Sequence, residues 1–325
     1  MSPLAGAVDQ KMGPLVKMVS RFSRREKYPR GRVILPPNWV GKRVIIALED
    51  LYIILEKKEY EHMRKAFINL TILMRLFEDI LNNSNGSRMF SVVSKTWNPV
   101  TGCLHACRFC WARRLAETKL KNYRRYRQGF VPRFNGEEFR IKFEEGDFVF
   151  VSDMGDLFGN FIPKDWILRV LNHVKKFPKT YFLFLTKNPS RYADFIEHFP
   201  DNVILGTTIE TNKDDLYLEH KISNAPIPSL RYEGFKKLEW EKKFVSIEPI
   251  LDFDAKVFSE WIKEIEPIMV YVGYDNYNNC LPEPPLAKTL KLIETLREKM
   301  LVIKKNLRPA WYESIKTEFQ ERHAQ

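Results

Sequence analysis

Cys103, Cys107 and Cys110 stand in the run Thr101-Gly102-Cys103-Leu104-His105-Ala106-Cys107-Arg108-Phe109-Cys110-Trp111-Ala112. The spacing is C-x3-C-x2-C, with an aromatic residue just before the last thiol. Three thiolates on one short loop can hold three corners of a 4Fe–4S cube, because cysteine sulfur is the usual ligand of that cluster. A missing fourth protein ligand leaves one iron open to a substrate or cosubstrate. Zinc is the main competing reading, but structural zinc takes four ligands, usually as two separated pairs. The remaining cysteine, Cys280, is far along the chain in a loop rich in Pro and Asn, and His105 is too near to form a separate fourth arm. A disulfide framework suits small secreted chains, and the first residues here do not read as a secretory signal.

The thiols need a frame, and the sequence predicts one. From Thr96 onward, short apolar runs alternate with amphipathic segments. Strands are expected at Thr96–Gly102, Asp147–Ser152, Thr180–Thr186, Val203–Thr208, Lys243–Glu248 and Ile268–Gly273, with a short seventh at Leu301–Lys304. Helical patterns lie near 108–122, 163–176, 189–198, 212–223, 254–265 and 285–299. Such alternation implies parallel pairing through right-handed crossovers. Functional groups of parallel α/β barrels gather at the carboxyl ends of the strands. Those ends carry Ser152-Asp153-Met154-Gly155-Asp156, then Lys187, Thr208 with Glu210, Ser246 with Glu248, Tyr274, and Lys304 with Lys305. Each of these residues also suits a turn or a cap, and Asp156 suits a cap on the turn that follows it. As a set they favour a polar pocket. Thr208 and Glu210 are suited to ribose hydroxyls, which both donate and accept.

Three regions follow from the pattern. Residues 1–30 are basic and without sustained periodicity, and read as a mobile arm. Residues 31–87 read as a β-hairpin followed by an amphipathic helix. The hairpin is expected from Gly31–Leu35 and Val40–Leu48, around a Pro-Pro-Asn turn. The helix is expected over 59–82, where Met63, Phe67, Leu70, Met74, Phe77 and Leu81 recur at spacings of four and three. The polar run Asn82–Ser87 marks the boundary, and 88–325 is the main domain.

The 325 residues are 44% hydrophobic, enough for one large domain with an appendage. The apolar stretch Val44–Leu55 is interrupted by Glu49 and Asp50 and is too short to span a bilayer. Sparse cysteine fits a reducing cytoplasm, and no membrane association is expected. Formal net charge is +12, which draws polyanions and makes nucleic acid a fair partner class. Arg113, Arg114, Lys119, Lys121, Arg124, Arg125 and Arg127 follow the cysteine loop directly, interleaved with Tyr123 and Tyr126. Basic side chains neutralise phosphates while aromatic rings stack on bases, although a solvated basic surface has the same composition.

The cysteine run resembles the signature of the radical S-adenosylmethionine (SAM) superfamily. Trp97–Cys103 with Phe109–Arg113, Leu185–Pro189 and Ser246–Pro249 together are similar to a phage-type radical-SAM family, itself reminiscent of spore photoproduct lyase and relatives that repair DNA. The resemblance runs from about Trp97 to Lys304. It implies an α/β fold, a partial (β/α)6 TIM-like barrel with the cysteines just after the first strand. It implies a 4Fe-4S cluster on Cys103, Cys107 and Cys110, with S-adenosyl-L-methionine bound through its amino and carboxylate groups to the open iron. An electron from the cluster would then cleave the sulfonium and release a 5′-deoxyadenosyl radical, with a ferredoxin or flavodoxin as electron donor. Phe109 would flank the adenine. Asp153 and the Gly155 backbone would replace the usual Gly-Gly-Glu against the SAM amino group, which this chain lacks. Thr208, Glu210, Ser246 and Glu248 would face the ribose and methionine parts. Cys280, as in the lyase, or Tyr274 would return a hydrogen atom to the product. The implied activity is modification or repair of nucleic acid by hydrogen abstraction. A protein or small-metabolite substrate stays open, as does a non-catalytic cluster-binding or zinc-binding nucleic-acid module.

Overall fold

The computed structural model describes residues 44–48, 51–55, 90 and 92–313. The expected arm over 1–30, the strand at 31–35, the helix over 59–82 and the boundary at 82–87 lie outside the described residues. The elements run β1 (Val44–Leu48), β2 (Leu51–Leu55), β3 (Lys95–Trp97), β4 (Val100–Thr101), α1 (Trp111–Glu117), β5 (Arg133–Phe134) and β6 (Phe148–Val151). They continue α2 (Lys164–Val174), β7 (Tyr181–Thr186), β8 (Val203–Thr208), α3 (Asp214–Glu219), α4 (Pro228–Lys236) and β9 (Lys243–Ile247). The last are α5 (Ala255–Ile265), β10 (Met269–Val272), α6 (Leu286–Arg297) and β11 (Leu301–Lys304). Two 3-10 segments, Gly136–Arg140 and Pro189–His198, complete the set. The hairpin pairs β1 with β2, from Val44 opposite Leu55 to Leu48 opposite Leu51. The paired strands thus fall later in the chain than the hairpin expected around Pro-Pro-Asn.

Seven strands form one sheet in the order β11-β10-β9-β8-β7-β6-β3, and each neighbouring pair is parallel. Consecutive strands are thus spatial neighbours, as in the staves of a barrel. Residues of β6 to β10 are buried throughout, apart from two half-buried positions in β7. A parallel sheet covered on both faces requires such near-continuous apolar runs.

Side-chain alternation divides the strands between two cores. Val149, Val151, Phe182, Phe184, Val203, Leu205, Val245, Ile247, Val270 and Val272 face the helices. Phe148, Phe150, Leu183, Ile204, Phe244, Met269, Tyr271 and Ile303 face the other way and pack with Phe90. The Phe90 ring lies 4.8 Å from Tyr271, 5.1 Å from Phe244 and 5.4 Å from Phe150. This aromatic plug fills the face opposite the helices, and Lys305 Nζ stands 5.0 Å over the Phe90 ring. The polar residues beyond it, toward the carboxyl ends, continue the same inward alternation.

The first expected strand is broken in two. β3 belongs to the sheet, whereas β4 leaves it and pairs antiparallel with β5. Asn98-Pro99 intervenes; proline has no N–H to extend a ladder, and the Asn98 side chain turns to the loop after β6, accepting from Met154 N–H at 3.0 Å. Helix α4 is an element the periodicity does not reveal. Its Gly234 sits against the 3-10 segment, where a Cβ would come 2.1 Å from Ser190 Oγ. Among the described residues no helix is long and apolar enough to cross a membrane.

Candidate functional site

The cysteine loop is moored at both ends and at its middle. Gly102, at φ +84°, donates to Met154 O at 2.8 Å and forms a parallel bridge with Gly155. Cys103 N–H donates to Phe130 O at 3.0 Å. At the middle, His105 O accepts from Asn224 N–H at 2.6 Å and from Ser223 Oγ at 2.9 Å, and Arg108 N–H donates to Ile222 O at 3.0 Å. Cys110 caps α1, its sulfur accepting from Arg113 N–H at 3.3 Å. The loop therefore crosses from the end of β6 to the connection between α3 and α4.

Each of the three sulfurs has its own hydrogen-bond neighbour. Cys103 Sγ accepts from His105 N–H at 3.4 Å, Cys110 Sγ from Arg113 N–H, and Cys107 Sγ lies 3.1 Å from Ser223 Oγ. Ser223 has one hydroxyl proton, and turning it to a Cys107 thiolate still leaves His105 O bonded to Asn224. Burial pushes all three thiols above the ordinary thiol range. Thiolates at this site accordingly need a bound cation to replace their protons. Cys103 and Cys110 pack against Ala112, Tyr126, Phe130 and Met154, an apolar wall of the kind a cluster site presents. Among the described residues no three His, Cys, Asp or Glu side chains converge on one metal ion. A 4Fe–4S cube asks for one thiolate per iron, not for convergence on one point, and the donor set fits it.

Behind the loop, the strand ends carry a network of buried charge. Asp156 is its hub on the cysteine side. It accepts from His105 Nε2 at 3.0 Å if that nitrogen carries the proton, from Thr186 Oγ1 at 2.6 Å, from Lys187 N–H at 2.9 Å and from Phe158 N–H at 3.1 Å. Burial opposes its ionisation, but the His105 ring and these donors hold Asp156 below the usual carboxylate range. It also serves as the turn cap that its sequence position suggested.

Glu210, fully buried, pairs with Lys187 Nζ through one oxygen and with Arg231 Nη1 at 2.7 Å through the other. Burial alone would raise Glu210; Arg231 and Lys187 outweigh it and hold the carboxylate low. Arg231 is equally inaccessible, donates to Thr208 O at 2.6 Å, and lies 5.0 Å over the Tyr217 ring. Its Nε and Nη2 find no partner among the described residues. Lys187 Nζ stands 5.0 Å over the Phe109 ring, so the network reaches the cysteine loop. On the far side, Glu248 accepts from Ser246 Oγ at 3.0 Å and pairs with Lys305 Nζ at 2.9 Å. Burial raises Glu248, and Lys305 offsets only part of that shift. Gly273 keeps room for the pair, since a Cβ there would meet Glu248 Oε1 and Lys305 Cβ at 3.2 Å each.

The structure thus brings Cys107, Phe109, Thr208, Glu210 and Lys187 together, with Ser246 and Glu248 on neighbouring strand ends. Phe109 is half-buried against the cluster of Tyr217, Ile222, Leu251 and Leu281. Both oxygens of Glu210 are taken by cations, which suits a positioning role better than ribose contact. Gly155 abuts Gly102, with a Cβ only 3.0 Å from Gly102 O, and its own N–H donates to Ser152 O at 2.9 Å. That backbone group is spent on holding the two loops together.

Tyr274 is not brought to the site. It lies in the helix-side core, its hydroxyl 2.7 Å from Thr289 Oγ1 and donating to Pro284 O at 3.0 Å, with burial pushing the phenol up to about 12. Val272, two residues earlier, faces the same way, so strand alternation takes Tyr274 away from the cavity. Cys280 is exposed at φ +50°, in a loop that Arg108 reaches through Asn279 O at 3.5 Å. Arg231, His105 and Ser223 are the participants that sequence reasoning missed. Arg231 lies in the one helix without a visible pattern, and the other two act mainly through backbone and sulfur contacts that no spacing encodes.

Asp153 accepts from Asn98 Nδ2 at 2.5 Å, and burial raises it to about 6 from 3.8. The folded chain then binds the extra proton between the two values, so this group's contribution to stability falls as pH rises through that window and is flat above it. A full shift of this size corresponds to about 3 kcal/mol at about 1.4 kcal/mol per unit. Asp153→Asn is expected to remove that slope. Urea midpoints of both proteins at about pH 4.5 and about pH 7 test it, since other titrating groups cancel in the difference.

Fold and site together define a parallel α/β protein with a loop of three half-buried cysteines over polar strand ends. Residues 89–263 match the family described as Protein of unknown function (DUF5131), and the chain belongs to that family. No curated protein matches the chain. Among solved structures it is similar to spore photoproduct lyase complexed with dinucleoside spore photoproduct, at 12% identity and a TM-score of 0.43. That match covers 63% of this chain and 61% of the other, so the chain spans less than two thirds of the lyase structure. It is also similar to Streptococcus suis SuiB bound to S-adenosylmethionine, at 10% identity and a TM-score of 0.41, over 80% of this chain and 72% of the other.

Proposed function

We propose that this protein is a radical SAM enzyme that modifies or repairs a nucleic acid. The observation that carries the reading is the cysteine loop: three thiols, each with its own hydrogen-bond neighbour, held over polar strand ends. Cys103, Cys107 and Cys110 would hold the 4Fe-4S cluster. When bound, the cluster supplies the electron that cleaves SAM reductively, with ferredoxin or flavodoxin as external donor. Phe109 would lie against the adenine. Lys187, fixed between Glu210 and the Phe109 ring, would meet the anionic part of the cosubstrate. Ser246 and Glu248 would bound the cavity toward β10 and β11, and the Phe90 plug would exclude water from below. Thr208 would contact the ribose, and the exposed thiol of Cys280 would return hydrogen from the rim. The barrel would occupy 88–325, with 31–87 as an extension, in a soluble cytoplasmic protein. The net charge of +12 supports nucleic acid over a small metabolite as substrate.

Anaerobic reconstitution tests the reading. The wild-type chain is expected to take up iron and sulfide with a broad visible absorption band. It should then form 5′-deoxyadenosine from SAM with dithionite. Cys107→Ala is expected to lose both the band and the product. Stoichiometric tetrahedral zinc with no SAM affinity would overturn the proposal and favour the non-catalytic module.

A further inference from the structure

We infer that the loop following α1, residues 118–131 with Arg114, is a docking ridge for single-stranded nucleic acid. The inference rests on the nucleic-acid reading above and deepens it. Between Trp111 and Phe134 the chain carries eight Lys and Arg residues against one acid, Glu117. The fold sorts them into two groups. Arg113 donates to Cys103 O at 3.2 Å, Arg125 pairs with Glu137 and Glu138 at 3.1 and 2.6 Å, and Arg133 donates to Arg124 O at 2.8 Å. Tyr126 is buried in the wall behind the cysteines. These side chains build the loop.

The second group faces solvent. Arg114, Lys119, Lys121, Arg124 and Arg127 are exposed, and no acid among the described residues pairs with any of them. Arg127 Nε donates only to Asn122 O, at 3.2 Å. The Tyr123 side chain is 63% exposed. Tyr277, 46% exposed, carries the Arg114 guanidinium 4.7 Å above its ring. Unpaired cations interleaved with open aromatic faces suit a chain of phosphates with accessible bases. Bases in a duplex are already stacked, so protruding tyrosines reward an unpaired strand. An acidic protein would satisfy the cations and leave the rings without a role. Regular duplex readers also present a helix or ribbon to a groove, whereas this segment is irregular and α1 is only seven residues long, with Ala112 and Ala116 buried.

Position adds a consequence. The ridge follows α1, whose first turn Cys110 caps, and Arg114 joins it through Tyr277 to the loop bearing Cys280. A strand lying on Tyr123 and Tyr277 therefore passes the rim of the cysteine loop, within reach of the proposed site.

Fluorescence anisotropy of the full chain with a labelled oligothymidylate of about 12 nucleotides, its RNA counterpart and a duplex of equal length tests the inference. The single strands are expected to bind more tightly than the duplex. Log affinity should fall against log salt with a slope near about −3.5, at about 0.7 per phosphate for five contacts. Lys119→Glu combined with Lys121→Glu and Arg124→Glu should weaken binding by more than about tenfold and flatten the slope. Tyr123→Ala should weaken it about five- to tenfold at unchanged slope, and Tyr123→Phe should restore it. Duplex binding equal to or tighter than single-strand binding would overturn the inference. So would variants that bind like the wild type, or retention on acidic peptides without oligonucleotide binding. None of these measurements needs the cluster. Oligonucleotide binding that fails while 5′-deoxyadenosine still forms therefore sinks the ridge alone. Binding by a chain that takes up no iron sinks the radical reading alone.

Discussion

Glu210→Gln is expected to cost about 3–5 kcal/mol of folding stability, the usual range for removing one partner of a buried ion pair. Both ends of this interaction are inaccessible: Glu210 and Arg231 each have no exposed surface. Among the described residues the guanidinium has no partner for Nε and Nη2 and depends on Glu210 Oε2 and Thr208 O for its hydrogen bonds. A neutral amide would leave a full positive charge in the interior, with Thr208 O and the Tyr217 ring beside it but no counter-charge. Lys187 loses its partner too, but it is half-buried and not fully enclosed as Arg231 is. Against a whole-domain stability of about 5–15 kcal/mol, the loss is large enough to read in a single urea titration. The double variant Glu210→Gln, Arg231→Met should recover most of it, because deleting both charges removes the unpaired one. The pH dependence follows the same logic. Glu210 titrates below its unfolded value of 4.5, so its contribution is present above that pH and is lost as pH falls through the lower folded value. If the single and double variants unfold at the same midpoint, Arg231 is not the group that Glu210 compensates.

Much of this arrangement was legible in the sequence. The central strands β6 to β10 were visible because they are buried on both faces and read as apolar runs bounded by polar residues. The cysteine loop was visible because ligand spacing is local. What escaped depends on relations between distant segments. Tyr274 looked like a cavity residue because it follows a strand, yet alternation from Val270 and Val272 sends it into the helix-side core. Applying that alternation strictly would have selected Lys187, Glu210, Glu248 and Lys305 and rejected Tyr274. Asn98-Pro99 concealed the departure of β4 from the sheet, since Val100 and Thr101 continue the strand-like composition. Helix α4 was hidden for a physical reason: Gly234 lowers helix propensity to let two segments approach, and its buried Arg231 interrupts the apolar face. The same close packing creates the network around Glu210, so the least helical pattern in the domain conceals its most consequential charge.

Gly102→Ala is expected to abolish iron loading, and comparison with Gly129→Ala shows why. Both glycines lie in the left-handed region, at φ +84° and +81°. A side chain at either pays a backbone cost of about 1–3 kcal/mol. At Gly129 nothing lies within 4 Å of the added Cβ, and strain is the whole effect. At Gly102 the Cβ would stand 2.0 Å from Val131 O and 2.3 Å from its carbonyl carbon. Backbone at that distance cannot rotate away as a flexible side chain can. The chain must instead move at Gly102, and this breaks the bond to Met154 O and the bridge to Gly155. Cys103 is the next residue, so its sulfur moves away from the positions set by the rest of the loop. Cys107 and Cys110 keep their anchors at Ser223 and Arg113, leaving two thiols in place where the proposed cluster takes three. Gly129→Ala should lower the thermal midpoint by a few degrees and reconstitute with iron normally. Gly102→Ala should fold, because the sheet and its two cores do not depend on this residue, and yet bind little iron after the same treatment. Normal iron content in Gly102→Ala would show that the loop tolerates displacement at its first ligand. The tight junction of Gly102 with Gly155 would then be a feature of the fold and not a requirement of the site.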